Sequence, residues 1–91
     1  MISAAESYIA LNARGAHLSW QPSPETDTQG YEIWISNQKG GPYSKIHEGF
    51  IEKPSYITSQ LRFGTYHFVI TAMDYNNNRS LLSTEVSVTI W

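Results

Sequence analysis

The chain has 91 residues, 41% of them hydrophobic, and its six Lys and Arg against eight Asp and Glu leave a net charge of -2. A chain of this size buries about two thirds of its unfolded surface, enough for one core, so a single domain over residues 1–91 is expected. The weak, unclustered charge excludes the basic footprint of a nucleic-acid or anionic-lipid binder, and the absence of cysteine excludes disulfides, thiolate chemistry and Cys-ligated zinc.

Apolar residues recur two apart along most of the chain, the pattern of half-buried antiparallel strands, and helical spacing is nowhere sustained. In chain order the expected strands are Tyr8–Ala13, Ala16–Trp20, Tyr31–Asn37, Tyr43–Glu48, Ser55–Gln60, Tyr66–Asp74 and Glu85–Trp91. Between them lie Arg14-Gly15, the Pro22 to Gly30 loop, Lys39-Gly40-Gly41-Pro42, Gly49 to Pro54, Arg62-Phe63-Gly64 and Tyr75 to Leu82, all rich in turn-forming residues. An all-β, seven-stranded antiparallel β-sandwich follows. No apolar run approaches the roughly 18 residues of a spanning helix, so no membrane insertion is expected. Met1 to Glu6 lacks the basic start and apolar stretch of a signal peptide.

Five motifs stand in order along essentially the whole chain: Ala16-His17-Leu18-Ser19-Trp20, Ser23-Pro24-Glu25-Thr26-Asp27-Thr28-Gln29-Gly30-Tyr31, Gly41-Pro42-Tyr43, Leu61 with Gly64 and Tyr66, and Ala72-Met73-Asp74. Together they resemble the fibronectin type III domain of bacterial and phage proteins. They match its second strand, the loop into its third, the turn into its fourth, its Leu-x-Pro-Gly corner with the following tyrosine, and the end of its sixth strand. Phe63 replaces the usual corner proline, and the step from Gly64 to Tyr66 is one residue shorter. The resemblance implies an immunoglobulin-like sandwich, and a shared fold implies no particular activity.

The two-residue alternation sets Ala16, Leu18 and Trp20 of one sheet against Tyr31, Ile33 and Ile35, and Tyr66, Phe68, Ile70 and Ala72, of the other. Tyr8, Ile9 or Leu11, Tyr56, Leu61, Val86, Val88 and Ile90 are expected to close this core. Trp20, Tyr31, Ile33, Leu61, Tyr66 and Phe68 are therefore read as structural, with the Tyr66 hydroxyl directed to nearby backbone. The opposite parity puts Glu32, Trp34, Ser36, His67, Val69, Thr71, Met73, Ser87, Thr89 and Trp91 on the outer face of the second sheet. Trp34, Val69, Met73 and Trp91 are the candidate protein-contact face, an exposed apolar patch being a mark of contact sites.

Catalysis and cofactor binding find no support in the residues. His17 and His67 point outward from opposite sheets and His47 lies on an edge strand, so the three do not converge. No Gly-x-Ser-x-Gly turn, His-Glu-x-x-His run or phosphate-cradling glycine loop is present, so no enzyme, cofactor or metal site is expected. Asp74, Asn76, Asn78 and Glu85 have the spacing of calcium-loop ligands, but Arg79 stands where that loop needs glycine. A turn in which Asn77 or Asn78 takes a left-handed backbone is the plainer reading. Asn78-Arg79-Ser80 is a glycosylation sequon, relevant only in a eukaryotic secretory pathway, and Arg14-Gly15-Ala16 lacks the aspartate of an integrin tripeptide.

Two functions fit such a chain. The first is a non-catalytic structural or protein–protein interaction module, such as a phage virion decoration or tail-associated component, whose partner is a neighbouring domain, subunit or virion protein. The second is an adhesive or carbohydrate-recognising accessory module of a bacterial extracellular enzyme or adhesin, working through the end loops. Those loops hold only Tyr75 as a stacking aromatic, which favours the first. Either reading places the chain outside cells or in a virion. Lys45 and Glu48 on the Tyr43 to Glu48 edge discourage strand pairing there with another chain.

Overall fold

In a computed structural model, the residues described are 15–22 and 27–90, together with the backbone of 5–10. Its strands are β1 (Ala5–Ala10), β2 (Gly15–Trp20), β3 (Thr28–Ser36), β4 (Ser44–Lys45), β5 (Ser55–Ile57), β6 (Gly64–Asp74) and β7 (Val86–Ile90). They form two antiparallel sheets, one ordered β1-β2-β5 and the other β4-β3-β6-β7. This is the sandwich that the alternation of apolar residues predicts.

Between the sheets, Ala16, Leu18, Trp20, Tyr31, Ile33, Phe68, Ile70, Ala72, Val88 and Ile90 form a continuous buried cluster. Ile35, Tyr56, Leu61, Tyr66 and Val86 pack against its rim, half-buried. The Trp20 indole meets the Tyr31 ring edge-on, centroids 5.4 Å apart. Its Nε1 is buried with no hydrogen-bond partner among the described residues, so Trp20 stabilises through apolar area and ring contact alone. The Tyr66 hydroxyl donates to the Arg62 carbonyl at 2.8 Å, so the corner is tied even with Phe63 in place of proline.

Strand ends depart from the sequence pattern where side chains replace the ladder. The expected strand Tyr43–Glu48 shortens to Ser44–Lys45 because the next pairing position on β3 is taken by an imidazole: the Ile33 N–H donates to His47 Nε2 at 3.0 Å. Beyond that gap, Tyr31 and Ile51 exchange backbone bonds of 2.8 and 2.9 Å. That close approach explains Gly30, where a Cβ would lie 2.7 Å from Phe50 Cβ. The strand expected at Ser55–Gln60 stops at Ile57, since the Ala16 N–H donates to the Thr58 hydroxyl at 2.9 Å rather than to a carbonyl. β1 begins at Ala5 rather than Tyr8, set by its register from Ala5 opposite Trp20 to Ala10 opposite Gly15. Leu11 and the far end of that expected strand lie outside the described residues, as does Trp91.

Replacing Trp20 by Ala is expected to cost about 3–5 kcal/mol, most of a small domain's stability. Tyr66→Phe should cost about 1 kcal/mol. Urea denaturation measures both, and a loss below about 1 kcal/mol for W20A contradicts the core described here.

Candidate functional site

The outer face of the four-stranded sheet holds the candidate contact residues, and its geometry follows from register. Glu32 lies opposite Thr71 and Trp34 opposite Val69, with Lys45 of β4 opposite Trp34 on its other flank. Cross-strand neighbours on one face are close enough for long side chains to reach one position along. The indole Nε1–H of Trp34 donates to the Thr71 hydroxyl at 3.0 Å, which in turn donates to Glu32 Oε1 at 3.0 Å. Arg79 arrives from the β6–β7 connection and donates from Nε to the same oxygen at 2.8 Å and from its terminal nitrogen to Oε2 at 3.3 Å. Lys45 Nζ sits 3.2 Å from Oε2. The Arg79 guanidinium also lies over the Trp34 ring, 5.3 Å from its centroid.

This network overturns the expectation of an open apolar patch. Val69 is 2% and Met73 8% exposed, Thr71 is fully enclosed, and Glu32 is 3% exposed despite its charge. Trp34 is half-buried, its polar edge tied down by Thr71 and its face shared with Arg79. The physical reason is a strap that alternation along a strand does not register. The chain after β6 folds back along that strand's edge, with Arg79 bridged to Met73. Ser80 and Ala72 pair by backbone N–H to carbonyl at 2.8 Å and by Ala72 N–H to the Ser80 hydroxyl at 2.8 Å; Ser83 repeats the pattern on Ile70 at 2.9 and 2.8 Å.

Burial of the Glu32 carboxylate pushes its pKa up, but hydrogen bonds from Arg79, Lys45 and Thr71 outweigh that and hold it below the ordinary carboxylate value. Asp74 is also held low, by the Asn78 and Asn76 N–H groups and the Asn78 side chain. Asn77 takes a left-handed φ of 65°, as the turn reading expected. Glu85 is lowered by the Tyr43 hydroxyl and the Gly40 N–H, and its other oxygen faces His67 at 3.3 Å. The carboxylates in the calcium-like spacing are thus occupied separately, Asp74 with its own turn and Glu85 with the β3–β4 turn. The histidines sit on different elements: His17 on β2 opposite Ile57, His47 against Ile33 and Tyr56, and His67 beside Ser87.

Among the described residues, the exposed large apolar groups lie elsewhere, at Tyr75 (68%), Leu81 (72%) and Leu82 (55%) of the β6–β7 connection, Phe63 at the corner and Ile57 on β5. Sequence reasoning passed over Leu81 and Leu82 because they fall outside any alternating run. The serines flanking them, Ser80 and Ser83, were the available signal, since hydroxyls in a loop compete for nearby backbone groups.

No family model matches the sequence, and no curated protein matches it. Solved structures do match. An Fn3-like protein from Clostridium thermocellum has a TM-score of 0.83 and 24% identity, over 94% of this chain and 86% of that one. The fibronectin type III domain of human fibronectin type III domain containing protein 3 has a TM-score of 0.75 and 21% identity, over 99% and 84%. A pectate lyase from Erwinia chrysanthemi, in complex with tetragalacturonic acid, has a TM-score of 0.72 and 13% identity, over 94% of this chain but 28% of its own. The chain has a fibronectin type III fold, a fold that also occurs as one module within enzymes and other multidomain proteins.

Because Glu32 titrates lower in the folded chain, its contribution to stability is present above the ordinary carboxylate range and is lost as pH falls through the depressed value. Glu32→Gln should therefore lower stability at neutral pH by about 1–3 kcal/mol and flatten the acid limb of the stability curve. Thermal unfolding of both proteins between about pH 2 and pH 7 reads this directly.

Proposed function

We propose that the chain is a non-catalytic contact module that works against an adjoining protein surface, a neighbouring domain or subunit, through the β6–β7 connection. The observation that carries this reading is the division of apolar surface. The sheet face that looked open is closed by the Glu32 network, whereas Leu81 and Leu82 stand out at 72% and 55% exposure on a strap held by Ser80 and Ser83. Exposed leucines on a fixed backbone lose little further entropy on docking, and apolar surface left outside a core is where contacts form. The modular occurrence of the fold supports the same view. It favours an accessory position beside other domains over the virion setting, which no neighbour described above supports. Extracellular placement belongs to this proposal as the setting of such accessory modules.

A photo-crosslinking residue at Leu82, in the protein as its cell makes it, is expected to join a polypeptide surface, while the same residue at Thr89 gives none. The double variant Leu81→Ser, Leu82→Ser should abolish the contact and change folding stability by no more than about 0.5 kcal/mol. Equal crosslinking at both positions overturns the proposal. So does saturable binding of oligosaccharides centred on Tyr75, which would put carbohydrate recognition in its place.

A further inference from the structure

We propose that His47 is a proton-operated clasp on the edge of β3: its neutral imidazole closes the gap that β4 leaves there, and its protonation opens it. β4 has only Ser44 and Lys45, which stand opposite Ile35 and Trp34. Beyond it the chain stays against β3 through three attachments. Ile46 N–H donates to the Ile33 carbonyl at 3.1 Å, Ile33 N–H donates to His47 Nε2 at 3.0 Å, and Tyr31 and Ile51 exchange backbone bonds of 2.8 and 2.9 Å. Of the three, only the middle one has an acceptor that takes up a proton near neutral pH.

The bond from Ile33 fixes the state of the ring. A backbone N–H can only donate, so Nε2 must hold a lone pair and the ring proton sits on Nδ1. Nδ1 lies 3.1 Å from the Glu48 carbonyl, an acceptor that suits this tautomer. A second proton would go to Nε2 and set two N–H donors against each other across 3.0 Å. Ile33 is fully enclosed, and an amide stranded there costs more than the bond itself contributes. The clasp therefore holds where the imidazole is neutral and is lost as pH falls through the range in which histidines charge.

The surroundings do not offset that loss. Among the described residues, no carboxylate is in hydrogen-bond or ion-pair contact with the His47 ring. Tyr56 of β5 faces it with ring centroids 5.6 Å apart, and its π system attracts an imidazolium but gives the Ile33 amide no acceptor. Lys45 is committed to Glu32 and stands over Phe50, and Glu48 turns its carbonyl to the ring. His67 behaves in the opposite sense: its Nδ1 has Glu85 at 3.3 Å, so a proton there strengthens a contact. Opening at His47 lifts the 46–50 stretch between its two remaining anchors and uncovers the Ile33 backbone and the Ile46 side chain, which packs against the core. It takes place on the β3 edge, away from the strap that carries Leu81 and Leu82, and is independent of the contact proposed for them.

Amide hydrogen exchange of the whole chain, followed by NMR and corrected for the intrinsic rate at each pH, tests this. Protection of Ile33 and Ile46 should fall about tenfold from about pH 7.5 to about pH 5. Ile70, whose N–H is held by the Ser83 hydroxyl, should change by less than about threefold. Glu32, Asp74 and Glu85 are held below the ordinary carboxylate value and take up no proton in that window. H47Q keeps an uncharged acceptor within reach and should leave Ile33 protected at both pH values. Wild-type protection that does not change with pH, or an equal fall in H47Q, overturns the proposal. A nitrogen spectrum of the ring at about pH 7.5 should place the His47 proton on Nδ1 alone, and a proton found on Nε2 overturns it whether or not H47Q folds.

Discussion

Two strands outrun their neighbours, and the rest of the molecule is arranged around that mismatch. β3 has nine residues and β6 eleven, but β4 offers two and β7 five. Backbone N–H and C=O groups inside a sandwich need partners, so the lengths left uncovered must be completed by something other than strand. Here side chains complete them. His47 takes the Ile33 N–H, Ser83 that of Ile70 and Ser80 that of Ala72, while in the other sheet Thr58 takes that of Ala16. Each of these side-chain acceptors ends regular pairing and leaves an irregular segment running along the edge of the sheet.

The polar cluster on the outer face is a product of one such segment. Only because Ser80 and Ser83 pin the returning chain does Arg79 arrive above Glu32, and only then can a carboxylate stay charged at 3% exposure. An ion cluster of this kind adds little net stability compared with well-packed apolar residues, yet removing a single member leaves the others uncompensated. Its value here is positional. The Trp34 indole is held between a hydroxyl and a guanidinium, and the strap that carries Leu81 and Leu82 is fixed relative to the sheet.

The buried half of the molecule was legible in the residues, because alternation assigns parity and parity assigns faces. Ala16, Leu18, Trp20, Tyr31, Ile33, Phe68 and Ile70 all lie in the core where that rule puts them, and the Tyr66 corner closes as the family resemblance implies. The outer face was legible only in membership. Alternation places Val69 and Met73 on that side but carries no information about what crosses over it. That depended on a contact between Glu32 and Arg79, separated by most of the second sheet's sequence. Strand ends were misjudged for a related reason: Tyr43–Glu48 and Ser55–Gln60 read as strand by composition, and it is single side-chain acceptors, His47 and Thr58, that halt them.

The tip of the β6–β7 connection is anchored at its base on both sides. Asp74 gathers three donors from Asn76 and Asn78, and Ser80 is clipped to Ala72, with Asn77 at the bend between them. Lengthening a loop whose ends are already fixed adds only about 0.6 kcal/mol for each doubling. Foreign sequence spliced in after Asn77 would leave the Ser80 and Ser83 clips unchanged, and the domain could carry variable recognition loops as a display scaffold.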